Sequence, residues 1–240
     1  MAQPGVIAIA HRGASAAAPE NTVAAFDEAI RLGAWAVEFD VRLSADGVPV
    51  VIHDETVNRT TNGQGAVNAL TRLDMLRLDA GSWKHPRFSG VRIPTLHEAL
   101  QAIEGRAIPA VELKVPIDPE LLRSALELND ALDKAVILSF DPGVVATVRG
   151  GMPGVMLGFS SETWRADLPE QCRRLGAQIL VLDVAAVSLN NVSAAHREGR
   201  EVWCYTVNDP GAVAACSAMG VRGIITDQPD LIRQRRRMEK

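Results

Sequence analysis

The stretch WAVEFDVRLSADGVPVVIH, residues 35–53, decides how the chain folds. It holds two apolar, β-branched runs, Trp35–Leu43 and Val48–His53, with only Ser44-Ala45-Asp46-Gly47 between them. A parallel crossover needs a dozen or more residues, so strands this close must form a local antiparallel hairpin, and Asp-Gly supplies its turn. A turn centred near Ala45 and Asp46 would set His53 close to Glu38, whereas a slip of one residue would reverse the face. With Val48–His53 set aside as a hairpin arm, eight strand-like runs remain: Val6–Ala10, Trp35–Leu43, Pro109–Lys114, Ala135–Phe140, Val155–Phe159, Gln178–Leu182, Val202–Val207 and Gly223–Thr226.

Helical stretches fall between these runs. Asn21–Leu32 places apolar residues at Val23, Phe26, Ile30 and Leu32, with Asn21 or Thr22 as its cap. Others cover 119–131, 141–150, 163–175, 188–198 and 210–218, and a last helix follows Pro229. Strands alternating with helices imply βαβ units and a parallel sheet, and eight strands are the count of a closed barrel. The expected fold is α/β, a single (β/α)8 TIM barrel over residues 1–240, with an open doubly wound sheet as the alternative. Residues 54–92 lack periodicity and are rich in turn formers (Asn62-Gly63, Gly65, Gly81, Pro86). A loop this long inside a compact domain is usually functional. It reads as a small insertion covering the barrel mouth.

Composition excludes several classes. A chain of 240 residues can bury a sizeable core, and 47% hydrophobic with 22% charged residues is ordinary globular composition. A net charge of −4 argues against a nucleic-acid partner. The basic tail Arg233, Arg235, Arg236, Arg237 and Lys240 reads first as cations at a helix C-terminus, and second as a membrane-surface or polyanion contact. Cys172, Cys204 and Cys216 are odd in number and contain no C-x-x-C, which argues against a disulfide framework or a thiolate metal site. A reducing, cytoplasmic location is expected. No apolar run reaches membrane-span length, so no stable membrane insertion is expected. The opening MAQPGVIAIAHRGASA lacks the basic start of a signal peptide. A homo-oligomer is compatible with the sequence, which fixes no subunit count.

In a (β/α)8 barrel the chemistry sits at the C-terminal ends of the strands. The polar residues there are His11-Arg12-Gly13, Glu38 and Asp40, His53-Asp54, Glu112 and Lys114, Ser139-Phe140, Thr206-Val207-Asn208, and Thr226-Asp227. Glu38 and Asp40 are two apart on one strand and share a face, and Glu112 and Lys114 repeat the arrangement. Buried together, these carboxylates repel one another. They need either ion pairs with Arg12 and Lys114 or one hard divalent cation, Mg²⁺ or Ca²⁺. His11 and His53 are suited to acid–base work near neutral pH. Arg12 can bind phosphate oxygens bidentately, and Gly13 would let the backbone approach a ligand. Phosphodiester hydrolysis needs a base, an acid and positive charge, and this set supplies all three. His85, His97 and His196 receive no role. HRGASA has a single glycine and fits neither G-x-G-x-x-G nor a P-loop, which disfavours an open-sheet nucleotide binder.

The ordered stretches HRGASAAAPENTVAAF (11–26), GAWAVEFDVRLSADGVPVVIHDETVNRTTNGQG (33–65), IPTLHEAL (93–100), VELK (111–114) and GIITDQP (223–229) resemble the glycerophosphodiester phosphodiesterase family from end to end. The resemblance implies a phospholipase-C-like barrel with one bound divalent cation and a small-molecule glycerophosphodiester substrate. It also implies His11 and His53 as an acid–base pair, Glu38, Asp40 and Glu112 as metal ligands, and Arg12 and Lys114 on the phosphate. The family's Trp-Thr-x-Asn is here Tyr205-Thr206-Val207-Asn208, which changes the shape of the leaving-group pocket. Phe140 and Tyr205 are candidates for its apolar wall, and Trp203 shares the face of Tyr205. The products would be glycerol 3-phosphate and an alcohol, with water or the neighbouring glycerol hydroxyl as nucleophile. A lysophospholipase-D or sphingomyelinase-D-like activity is the alternative, and a non-catalytic barrel would have lost a ligand or a histidine.

Overall fold

A computed structural model describes residues 5–232; the basic tail and the end of the helix after Pro229 lie outside the described residues. Eight parallel strands close on themselves: β1 (Ile7–Ala10), β2 (Ala36–Leu43), β4 (Ile108–Leu113), β5 (Val136–Ser139), β6 (Met156–Ser161), β7 (Ile179–Asp183), β8 (Glu201–Tyr205) and β9 (Gly223–Thr226). Closure is made where β1 pairs in parallel with both β2 and β9. The remaining strand, β3 (Pro49–Val51), lies antiparallel on β2 as the hairpin arm. The expected TIM barrel is therefore the fold, and the open sheet is excluded.

Period-two alternation explains both the core and the placement of the site. Ile7, Ile9, Ala36, Ala110, Val136, Leu138, Ile179, Val181, Trp203 and Ile225 form one apolar cluster inside the barrel. The intervening residues, such as Ala8, Val37, Phe39, Val111 and Ile137, belong to a second cluster under the helices. The same inward phase continued toward the strand C-termini reaches His11, Glu38, Asp40, Glu112, Lys114 and Tyr205. These columns are thus apolar low in the barrel and charged or polar at the mouth. Gly223 makes room for the interior: a Cβ there would meet the Trp203 ring at 2.5 Å.

Helices α1 (Val23–Leu32), α4 (Pro119–Leu128), α5 (Pro142–Gly151), α6 (Leu168–Arg174), α7 (Leu189–Arg197) and α8 (Pro210–Ala218) occupy the expected stretches. Two differences are informative. Thr22, not Asn21, caps α1, its hydroxyl accepting from the Ala25 amide at 3.3 Å. An additional helix, α3 (Leu96–Ile103), begins at a capping box between Thr95 and Glu98. The T-x-x-E signal for it stands in the sequence.

The insertion is more ordered than its lack of periodicity suggests. It contains the short helix α2 (Arg72–Met75) and two 3₁₀ turns. Val57, Val67, Met75 and Ala80 pack with Val50, Ile52 and Ile93 in a satellite core beside β3. No helix among the described residues is long and apolar enough to cross a membrane.

Candidate active site

The hairpin register differs by one residue from the expected one. Val41 pairs with Val51 and Leu43 with Pro49, so an extended arm would put His53 opposite Phe39, on the outer face. His53 nonetheless lines the mouth cavity, because the last backbone bond to β2 is made by the Ile52 amide to the Asp40 carbonyl, at 3.0 Å, and alternation no longer applies beyond it. The Arg42 guanidinium holds the departing arm, donating from Nε to the His53 carbonyl at 2.8 Å.

The cavity, of about 240 Å³, is lined by all nine residues singled out from the sequence: His11, Arg12, Glu38, Asp40, His53, Glu112, Lys114, Phe140 and Tyr205. Val181 and Ile225 join it from the interior apolar layer, and Glu162 joins from the end of β6. Phe140 and Tyr205 meet edge to face, with ring centroids 5.7 Å apart. Lys114 Nζ stands 5.6 Å from the Phe140 ring centre. Trp203 is buried inside the barrel below Tyr205, on the shared face.

Glu38, Asp40 and Glu112 are 2%, 1% and 9% exposed, and one ligand atom from each lies within 4.8 Å of the others. Asp40 and Glu112 are direct neighbours in the β2–β4 register. Burial, reinforced by the charge of Asp40, pushes the Glu38 carboxyl up to about 8 and raises that of Glu112 as well. Burial would raise Asp40 too, but Lys114 and Arg12 outweigh it and hold its carboxyl low. Lys114 Nζ is 3.1 Å from Asp40 and also pairs with Glu112, while Arg12 Nε is 3.2 Å from Asp40. Cations thus pair with Asp40 and Glu112, yet the Glu38 and Glu112 carboxyls are still pushed toward protonation. Three buried carboxylates crowded this way fit a hard divalent cation by donor type and by charge.

The two histidines carry matched partners. His11 Nδ1 lies 2.7 Å from Asp227 Oδ1, and His53 Nδ1 lies 2.8 Å from Asp54 Oδ1. An ionised carboxylate only accepts, so each Nδ1 carries a hydrogen and each Nε2 is left for chemistry. Burial would lower the His11 pKa, but the Asp227 hydrogen bond and the nearby Glu38 raise it above its usual value. Burial lowers His53, and the attraction of Asp40 and Asp54 does not restore it against Arg12 and Lys114.

Several residues were not assigned from the sequence. Asp227 was noted only as a strand end, yet it receives hydrogen bonds from Ser15 and Asn208 at 2.8 and 2.6 Å while holding His11. Asn21 donates to Asp40 Oδ2 at 2.8 Å and accepts from the Asp40 amide at 3.1 Å, with a left-handed φ of 57°. Glu20 receives Arg12 Nη1 at 2.8 Å. Glu20 and Asn21 stand in the quoted PENT segment, but nothing in their spacing predicts partners 8 and 19 residues away. Gly13 has a φ of 80° and a Cβ there would lie 2.6 Å from the Ala25 backbone, so glycine lets the turn close onto α1. That turn aims the Arg12 amide at Glu38 Oε2, 2.9 Å away. His85 and His97 bond elsewhere, to the Arg87 amide and to Asn129.

The chain is similar to known proteins over nearly its whole length. The model of the Glycerophosphoryl diester phosphodiesterase family matches residues 11–231. A glycerophosphodiester phosphodiesterase of Caldanaerobacter subterraneus is 34% identical over 94% of this chain and 96% of its own. The Oleispira antarctica phosphodiesterase, solved in complex with the product sn-glycerol-3-phosphate, superposes with a TM-score of 0.91 at 29% identity, over 96% of each chain. The Agrobacterium tumefaciens glycerophosphodiester phosphodiesterase superposes with a TM-score of 0.85 at 33% identity, over 95% of this chain and 98% of that one.

Proposed function

The chain belongs to the glycerophosphoryl diester phosphodiesterase family and is an enzyme of that class; from this premise we propose how its own residues carry the reaction and what it releases. The substrate is a glycerophosphodiester, and the products are glycerol 3-phosphate and an alcohol such as choline or ethanolamine. Glu38, Asp40 and Glu112 would hold one divalent cation, Mg²⁺ or Ca²⁺. When bound, that cation supplies positive charge for the phosphate oxygens and relieves the repulsion among the three carboxylates. Arg12 and Lys114 bind and neutralise the phosphate. His53, with its lowered pKa, is neutral near pH 7 and takes a proton from the nucleophile, either a water or the neighbouring glycerol hydroxyl; in the second case the cyclic phosphate that forms is then opened by water to give glycerol 3-phosphate. His11, with its raised pKa, keeps its proton and gives it to the leaving alkoxide. Phe140 and Tyr205 form the apolar wall on which the alcohol group rests.

The observation that carries this reading is convergence: two histidines, three carboxylates and two cations from four strand ends line one cavity. The reading extends to the insertion as a cover for the site. Its support is that Lys84 and Arg87 donate to the carbonyls of Ser15 and Ala17, at 2.7 and 2.9 Å, on the loop that follows His11. It extends also to a reducing, cytoplasmic setting, supported by three buried free thiols. The test is release of glycerol 3-phosphate from glycerophosphocholine with Mg²⁺, with Ca²⁺ and with EDTA. Metal-dependent release is expected. Release that survives EDTA removes the metal from the proposal, and turnover of lysophospholipid alone moves the substrate to the alternative class.

A further inference from the structure

We infer that Arg59, on the insertion, is a positioning residue for the reaction, bracing the loop that carries Arg12 against the arm that carries His53. The inference rests on the roles proposed above for those two residues. One guanidinium grips two carboxylates. Nη1 and Nη2 donate to Glu20 Oε2 and Oε1, and Nε and Nη2 donate to Asp54 Oδ2 and Oδ1, each at 2.8 Å. Both carboxylates continue inward: Glu20 Oε1 accepts from Arg12 Nη1 at 2.8 Å, and Asp54 Oδ1 faces His53 Nδ1 at 2.8 Å. A line of alternating charge, Arg12–Glu20–Arg59–Asp54–His53, thereby spans the mouth and ties two segments that the sheet does not join.

The need for such a brace follows from the hairpin. β3 ends at Val51, so His53 stands beyond the last ladder bond and sheet geometry no longer fixes its ring. The Arg42 bond fixes only the His53 carbonyl. Orientation of the imidazole falls to Asp54, and Asp54 is itself aimed by the planar fork of Arg59. Lysine, a point charge, cannot reproduce two bidentate grips. The side chain of Arg59 is 45% exposed, and exposed ion pairs add little to global stability. The brace should therefore register in catalysis far more than in unfolding. The requirement for Arg59 also gives the RTTNGQG segment a catalytic reason.

The experiment compares wild type, Arg59→Ala, Arg59→Lys, Arg59→Gln and His53→Ala on glycerophosphocholine, with kcat, KM and Tm measured for each folded protein. Arg59→Ala is expected to lower kcat about tenfold, as a misplaced catalytic group does, with KM changed by less than about threefold and Tm by a few degrees at most. Arg59→Lys should recover only part of kcat, and Arg59→Gln should stay low if the alanine variant does not fold. Wild-type kcat in Arg59→Ala beside an inactive His53→Ala overturns the inference and leaves the proposed function standing. So does full recovery in Arg59→Lys. Wild-type turnover in His53→Ala overturns the proposed function itself.

Discussion

The two histidine–carboxylate pairs are alike in chemistry and opposite in setting. His11 and Asp227 sit just beyond β1 and β9, neighbouring strands of the barrel wall, and the His11 side chain is 20% exposed. His53 and Asp54 sit on a hairpin arm that has left the sheet, and the His53 side chain is 34% exposed. Both rings bond a carboxylate through Nδ1, yet one pKa is raised and the other lowered. A carboxylate partner is therefore not enough by itself to raise a ring: Asp227, with Glu38 behind it, raises His11 against burial, whereas Asp54 does not raise His53. Burial lowers both, and the wider field separates them. His11 faces Glu38 and an Asp227 carboxylate held, despite burial, at about 2 by His11 and Ser15. His53 faces Arg12 and Lys114, and its Asp54 is already engaged by Arg59. Two titrating groups pushed apart are the arrangement that acid–base catalysis at one pH requires.

That comparison breaks first at the histidines. His11→Ala and His53→Ala are each expected to lower kcat/KM by about 10²–10⁴-fold; near-wild-type turnover by either folded variant would falsify the pair. The carboxylate partners sharpen it next. The pH profile of kcat/KM should be a bell, its acid limb set by His53 below its usual 6.5 and its alkaline limb by His11 above 6.5. Asp227→Asn removes the charge that keeps His11 protonated, so the alkaline limb should move to lower pH. Asp54→Asn should leave that limb in place. An unmoved alkaline limb in Asp227→Asn would mean that His11 is not the acid.

The metal-free protein offers a third test, in stability. Glu38 is raised from 4.5 to about 8, so the folded state holds a proton that the unfolded state releases. Its contribution is fully present below about 4.5 and is lost as pH rises through about 8. Denaturant melts in EDTA should show that loss, and it should be smaller in Glu38→Gln and in wild type with saturating Mg²⁺ or Ca²⁺. Equal slopes in all three samples would argue against the cation site. The smallest expected effect is at the apolar wall. The Tyr205 hydroxyl is buried without a hydrogen-bond partner among the described residues, so Tyr205→Phe should leave KM nearly unchanged. Tyr205→Ala loses the edge-to-face contact with Phe140 and should raise KM roughly 2–10-fold, the equivalent of ~0.5–1.5 kcal/mol. Initial-rate kinetics on glycerophosphocholine decides between these outcomes.

Much of the barrel half was legible because it obeys periodic rules. Glu38, Asp40, Glu112 and Lys114 follow the alternation that also places Ala36 and Ala110 inside, so their shared face could be read from spacing. His53 could be named but its placement could not be derived. The spacing argument put it near Glu38 through a register that is one residue off, and its real route into the cavity is a departure from the sheet. Asp227, Glu20 and Asn21 were hidden for a related reason: each acts through a partner on another segment.

The sequence by itself determined the (β/α)8 architecture and the inward columns that end in charge at the mouth, because alternation and strand count are local properties of the chain. Only the tertiary structure decided which carboxylate serves which histidine, which histidine is raised and which lowered, and that Arg59 joins the two halves. Those depend on distances between segments far apart in the chain and on the summed field of charges buried together, and neither is encoded in any local pattern.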